Sequence, residues 1–180
     1  VRHLSATMDG SFQDLDRVVS KGKVKTGARV EAIVFGDIQS PFIHPQTALA
    51  TWGIDTSTMD IVSTDNIVDN LKPKYGAIHD LIDFKSISHH DLKRPFEQQW
   101  AYNNGHSSIE GDIDKAAKFL ESSSRPFMKT VAVESNHDKW LDRWLDDGRG
   151  LKERHNLTAF FRYGLARAEA NDNDDTEFST

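Results

Sequence analysis

Cysteine is absent from all 180 residues, which excludes disulfides and thiolate metal sites and leaves oxygen and imidazole donors for any metal the chain binds. No apolar run approaches the roughly 20 residues of a membrane span, and no signal peptide opens the chain. Internal repeats and low-complexity blocks are also missing. Aromatic residues make up only 9% and hydrophobic residues 37%, with a mean hydropathy of -0.58. These values fit a soluble chain with a single core, too short for a second independent domain.

Positive charge is also in deficit. The chain carries 22 Lys and Arg against 28 Asp and Glu, a formal charge of -6. Affinity for nucleic acid rests largely on cations that neutralise phosphates, so this balance argues against a general polyanion binder. The cations are unevenly spread, however. Lys21, Lys23, Lys25 and Arg29 form one group, and Lys139, Arg143, Arg149, Lys152 and Arg154 another. Carboxylates that bind a metal would have their local sign reversed by it. For either basic cluster taken alone, solvated surface is the favoured reading.

What the chain does contain is one layout three times over: a strand-like apolar run that stops at groups able to bind a metal or move a proton. Residues 29–36 run into Asp37-Ile38-Gln39, residues 75–78 into His79-Asp80-Leu81-Ile82-Asp83, and residues 131–133 into Glu134-Ser135-Asn136-His137-Asp138. Open α/β sheets place ligands at the carboxyl ends of their strands, so the three stops predict one polar cluster. Between them, His44-Pro45 starts a short helix through Ala50, and a short strand precedes a helix near Asn66 to Leu71. From Asp91 to about Ser123 the pattern is helical, broken at Asn103-Asn104-Gly105, with Ile113, Ala116, Ala117 and Leu120 as its apolar stripe. Lys139 to Leu145 reads as a further helix packed through its tryptophans and leucines. Alternating strands and helices predict an α/β fold with a parallel or mixed sheet.

In their order these blocks resemble the calcineurin-like metallophosphoesterase superfamily, whose usual signature is Asp-x-His, Gly-Asp-x-x-Asp, Gly-Asn-His-Asp/Glu and a closing His with Gly-His-x-His. The resemblance covers about residues 29–144, and Ser135-Asn136-His137-Asp138 is its most specific part. Gln39 stands where the family usually has His, while His79 and Ser135 replace glycines. The closing block is missing, since His155 is the only histidine after His137. Residues 79–84 followed by Ser88-His89-His90 are similar to the metallophosphoesterase-like DNA-degradation proteins of some large bacteriophages.

The resemblance implies an αββα sandwich, held in part by residues 29–170, after a loop or hairpin over residues 1–28 and before a solvated or disordered acidic tail over 171–180. It makes the chain a piece of a longer protein whose closing motif lies beyond Thr180. It also implies a phosphodiester hydrolase with two divalent ions, manganese foremost and magnesium, iron or zinc as alternatives. DNA is the implied substrate, without a membrane partner, and the cytoplasm the implied setting, the host's if a phage encodes it. In this scheme Asp37 binds the first ion, Asp80 bridges, and Asn136 binds the second. His137 acts on the substrate phosphate, with Asp138 orienting it. Gln39 offers an amide oxygen where imidazole is usual, so His44, His89, His90 and Asp83 are candidate supplements. Lys139 and Arg143 are candidate DNA contacts. Each block also has an ordinary explanation: Gly36-Asp37 as a turn, Asp80 and Asp83 as helix-start carboxylates, His89-His90-Asp91 as surface, Asn136-His137-Asp138 as an Asx turn. A nucleotide or phosphoprotein phosphatase, and a non-catalytic binding or assembly module, stand as alternative functions.

Overall fold

The structure is a computed structural model that describes residues 5–87 and 94–177, with side chains described up to residue 170. Contacts divide the chain into two compact units, each built from three segments. Of the described residues, one takes those within 5–38, 42–79 and 118–133, the other those within 39–41, 80–117 and 134–177.

The first unit opens with an antiparallel meander of β1 (Phe12–Asp14), β2 (Arg17–Ser20) and β3 (Lys23–Lys25), so the predicted loop or hairpin has a third strand. Next come β4 (Ala32–Asp37), α1 (Pro45–Trp52), a two-stranded ribbon of β5 (Ile54–Asp55) and β6 (Asp60–Ile61), α2 (Ile67–Leu71) and β7 (Tyr75–His79). After α3 (Pro95–Asn103) and α4 (Ile109–Ser123) the chain returns as β8 (Lys129–Val133). β4, β7 and β8 form one parallel sheet with β7 in the centre. The predicted strand from Arg29 begins at Ala32, because Arg29 serves as a clip: its guanidinium donates to the carbonyls of Lys72 (3.3 Å) and Phe127 (2.9 Å).

Two glycines show how closely this unit is packed. A Cβ at Gly76 on the central strand would lie 2.7 Å from Met128 Sδ. Gly53 closes α1 in the left-handed region (φ 71°), where a Cβ would overlap the Ser63 carbonyl. Ring contacts then link Phe35 to Trp52 (4.8 Å) and Trp52 to Phe119 (5.1 Å). The unit's buried cation is Arg125. It forms a two-point pair with Asp69 (2.9 and 3.1 Å) and donates to the carbonyls of Trp52, Ser122 and Ser124, so one side chain ties the ends of α1, α2 and α4.

The second unit centres on Phe84, Ile87, Ile109, Trp140, Trp144 and Ala159. Trp140 and Trp144 lie on α5 (Trp140–Asp146), as the sequence pattern predicts, and α6 (Leu157–Glu177) adds Ala159 and Phe160. Buried Asn156 accepts from the Ile109 amide and donates to the Ser107 carbonyl and to Glu153, satisfying the start of α4. The predicted α4 stripe is turned from its observed face. Ala117 is exposed, whereas Ile109, Asp112, Ala116, Phe119 and Ser123 are buried, because a polar Asp112 held by Ser86 shares the inner face. The acidic run predicted as a disordered tail continues the α6 backbone through Glu177. No helix among the described residues is long and apolar enough to cross a membrane.

Arg125 makes the first unit's stability testable. Removing it strands a partly buried carboxylate and three carbonyls, so Arg125→Ala should cost about 3–5 kcal/mol in urea unfolding at neutral pH. The Arg125 guanidinium holds the Asp69 carboxyl below its usual range. A lowered folded value stabilises above the unfolded one, so the gap between variant and parent should narrow as pH falls below about 4. Equal stability at neutral pH would contradict this assignment.

Candidate metal centre

The β4–β7 register brings two of the predicted stops together. It pairs Asp37 with His79 after an irregularity that begins at Val34, and both side chains emerge at the carboxyl end of the sheet. Asp37 Oδ1 lies 3.3 Å from His79 Nδ1. Parallel pairing then runs on past both strands. The amides of Ile38, Gln39 and Ser40 donate in turn to the carbonyls of His79 (3.2 Å), Asp80 (2.8 Å) and Leu81 (2.9 Å). Gln39 and Asp80 hold left-handed backbone (φ 45° and 47°), a conformation that costs a non-glycine residue about 1 kcal/mol or more.

Asp80 is bonded directly to His79. Asp37, His79 and Asp80 each offer one ligand atom, and these atoms lie within 4.8 Å of one another. Two carboxylates and an imidazole, with no thiolate, form a donor set for a hard or borderline divalent cation.

In the second unit Asp80 meets the third predicted stop. Its side chain is only 6% exposed, and its Oδ1 lies 3.7 Å from His137 Nδ1, with Asp83 Oδ1 at 3.9 Å from the same nitrogen. Neither distance is a hydrogen bond, and among the described residues the buried His137 Nδ1 has none. The imidazole is braced edge-on by Trp140 (5.1 Å). Asp80 and Asp83 stand in an irregular segment, not at a helix start. Asp138 accepts from the Ser135 amide (2.9 Å), while its own amide points to Ser135 Oγ (3.3 Å). Its carboxylate thus closes the turn that carries Asn136 and His137, and bears on the imidazole through that turn.

The side chains of the other predicted residues make none of these contacts among the described residues. Asn136 is exposed, and Gln39 is half-buried and joins the loop through its backbone. His44 is exposed at the start of α1 and makes no capping bond with its side chain. Lys139 pairs with Glu134 (3.3 Å), and Arg143 is exposed. His89 and His90 lie outside the described residues.

Two residues bear on this region in ways the sequence reading did not assign. His79 was read as a replacement for glycine, although as the last residue of a strand it faces the same edge as Asp37. Asp112 is buried on α4 and accepts from the Ser86 hydroxyl (2.6 Å). Burial pushes its carboxyl above the ordinary value against the Ser86 hydrogen bonds, and nearby Asp83 adds to the rise. Its signal was the spacing Ile109, Asp112, Ala116, which puts a carboxylate on an otherwise apolar face.

No family model matches the chain, and no solved structure matches it. It is similar to Protein A1 of Escherichia phage T5, with 37% identity over 150 residues. The match covers 82% of this chain and 26% of that protein, so the chain spans about a quarter of its relative's length.

Asp112 yields a test that needs no metal. A folded pKa above the unfolded one means that ionisation opposes folding, so this carboxylate weakens the fold progressively as pH rises. In chelator-treated samples, Asp112→Asn should gain stability relative to the parent between about pH 4 and pH 7. A constant difference across that range, followed by urea unfolding, would show that burial does not perturb this group.

Proposed function

We propose that the chain is part of a divalent-metal-dependent phosphodiester hydrolase of the metallophosphoesterase type, acting on DNA. The observation that carries this reading is the gathering of Asp37, His79 and Asp80 ligand atoms within 4.8 Å at the ends of parallel strands. His137 near Asp80 and Asp83 supports it, as does a relative from a phage. The αββα sandwich and a host-cytoplasmic setting belong to the same reading.

Asp37 and Asp80 are the anionic ligands, with Asp80 placed to bridge, and manganese or magnesium suits them. His79 supplies the imidazole that Gln39 does not. A bound divalent pair would clamp the phosphate and lower the pKa of a water. Around it the protein's own groups divide the remaining work. Asp80 and Asp83 flank His137 at 3.7 and 3.9 Å, and an imidazole so placed can give a proton to a departing oxygen. Trp140 fixes the ring's orientation, and the Ser135–Asp138 turn holds Asn136 and His137 beside each other. Among the described residues Arg143 has no ion pair and can meet a DNA phosphate, while the charge of Lys139 is shared with Glu134.

The test assays the purified protein with manganese or magnesium on plasmid DNA and on a simple phosphodiester ester, alongside its metal content. Asp80→Ala should abolish metal-dependent cleavage and lower bound metal. His137→Ala should keep most of the metal and lose rate by about 10²–10⁴-fold, the usual contribution of proton transfer. Equal metal loss in both variants would refute the division of roles. Hydrolysis of mononucleotides but not plasmid would move the substrate to the phosphatase reading, and metal-free, inert protein would leave a binding or assembly module.

A further inference from the structure

We infer that a cavity in the second unit is a nucleotide-binding site, with the phosphate held by Arg149, Lys152 and His155 and the base lying against Tyr102. The cavity measures about 400 Å³, and its lining among the described residues belongs to that unit. Its size falls in the range of small-molecule sites, with room for a base, a sugar and a phosphate.

The chemistry of the lining is divided by segment. The stretch 149–155 contributes Arg149, Lys152 and His155, and Lys85 adds a further cation. Its one acid, Glu153, is occupied: Oε2 accepts from Trp144 Nε1 and Asn156 Nδ2, both at 3.1 Å. Arg149 is positioned, not loose. Nη1 donates to the Ile87 carbonyl (3.0 Å) and Nε lies 3.3 Å from Asp147, which leaves Nη2 without a partner among the described residues. Lys152 is exposed and has no ion pair among them. This side therefore presents Arg149 Nη2 and the Lys152 ammonium, donors that a phosphate can use.

The part of the lining that comes from α3 is different. It supplies Tyr102, Gln98, Glu97 and Ala101. Glu97 would repel a phosphate but can accept from the amino or imino groups of a base, and Gln98 adds an amide. Tyr102 remains 64% exposed, the state of a ring that offers a face for stacking. A bare anion would leave the tyrosine ring unused, so the two chemistries together select a nucleotide. This site shares no residue with the metal ligands proposed above and needs no metal, so either reading can fail alone.

Calorimetric titrations in chelator, with deoxyadenosine monophosphate, inorganic phosphate and a 5′-phosphorylated single-stranded oligonucleotide, test the proposal. The mononucleotide should bind about tenfold or more tightly than phosphate, since stacking distinguishes them. Lys152→Glu should weaken every phosphate-bearing ligand about tenfold or more, because it reverses a charge beside the phosphate. Tyr102→Ala should weaken the nucleotides about tenfold and leave phosphate unchanged. Both residues are exposed, and unchanged thermal unfolding would show that the variants keep the fold. Binding of the mononucleotide assigns a free nucleotide as ligand, and binding of the oligonucleotide alone assigns the end of a strand. No binding of either at millimolar concentration, or binding indifferent to both substitutions, overturns the proposal.

Discussion

Parallel pairing of β4, β7 and β8 is the constraint on which the rest depends. Parallel strands all end at the same edge of a sheet, whereas antiparallel neighbours would send alternate ends to opposite edges. Asp37 and His79 therefore become neighbours, although 42 positions apart in sequence, because the register sets them side by side. The pairing continues through the Gln39 and Ser40 amides, so backbone bonds hold the loops after β4 and β7 alongside each other.

This arrangement collects acids at cost. Like charges repel, and Gln39 and Asp80 each occupy backbone that favours glycine. Offsetting stabilisation comes from elsewhere. In the first unit Arg125 binds Asp69 at two points and three carbonyls besides, and Gly76 lets Met128 approach the central strand. In the second, Trp140 and Trp144 are buried in the apolar cluster, and Asn156 satisfies the start of α4. Left-handed backbone and closely spaced carboxylates thus meet in one stretch of loop, with ordinary packing in the rest of each unit.

Much of this was legible in the chain. The apolar runs before Asp37, Asp80 and Asn136 announced strands that end in polar groups, and all three strands lie in one parallel sheet. Breaks at Pro45 and at Asn103-Asn104-Gly105 marked helix limits because those residues act on their own backbone. Less legible was the inner face of α4, where a buried aspartate replaces an expected alanine and only its Ser86 partner makes that tolerable. The place of Asp138 was legible only in outline: its carboxylate closes the turn at Ser135 that carries His137.

The division follows from the range of the interactions. Composition decided which donors exist: without cysteine, any metal must be met by oxygen and imidazole. Local pattern decided where strands stop, since backbone preference and apolar alternation act over a few residues. Tertiary structure alone decided which donors meet. His79 looked like a misplaced glycine until the register set it against Asp37, and Arg149, Lys152 and Tyr102 were separate surface residues until the second unit closed a cavity between them. Those outcomes rest on pairing and packing between distant segments, and a one-dimensional pattern holds no distance across a sheet.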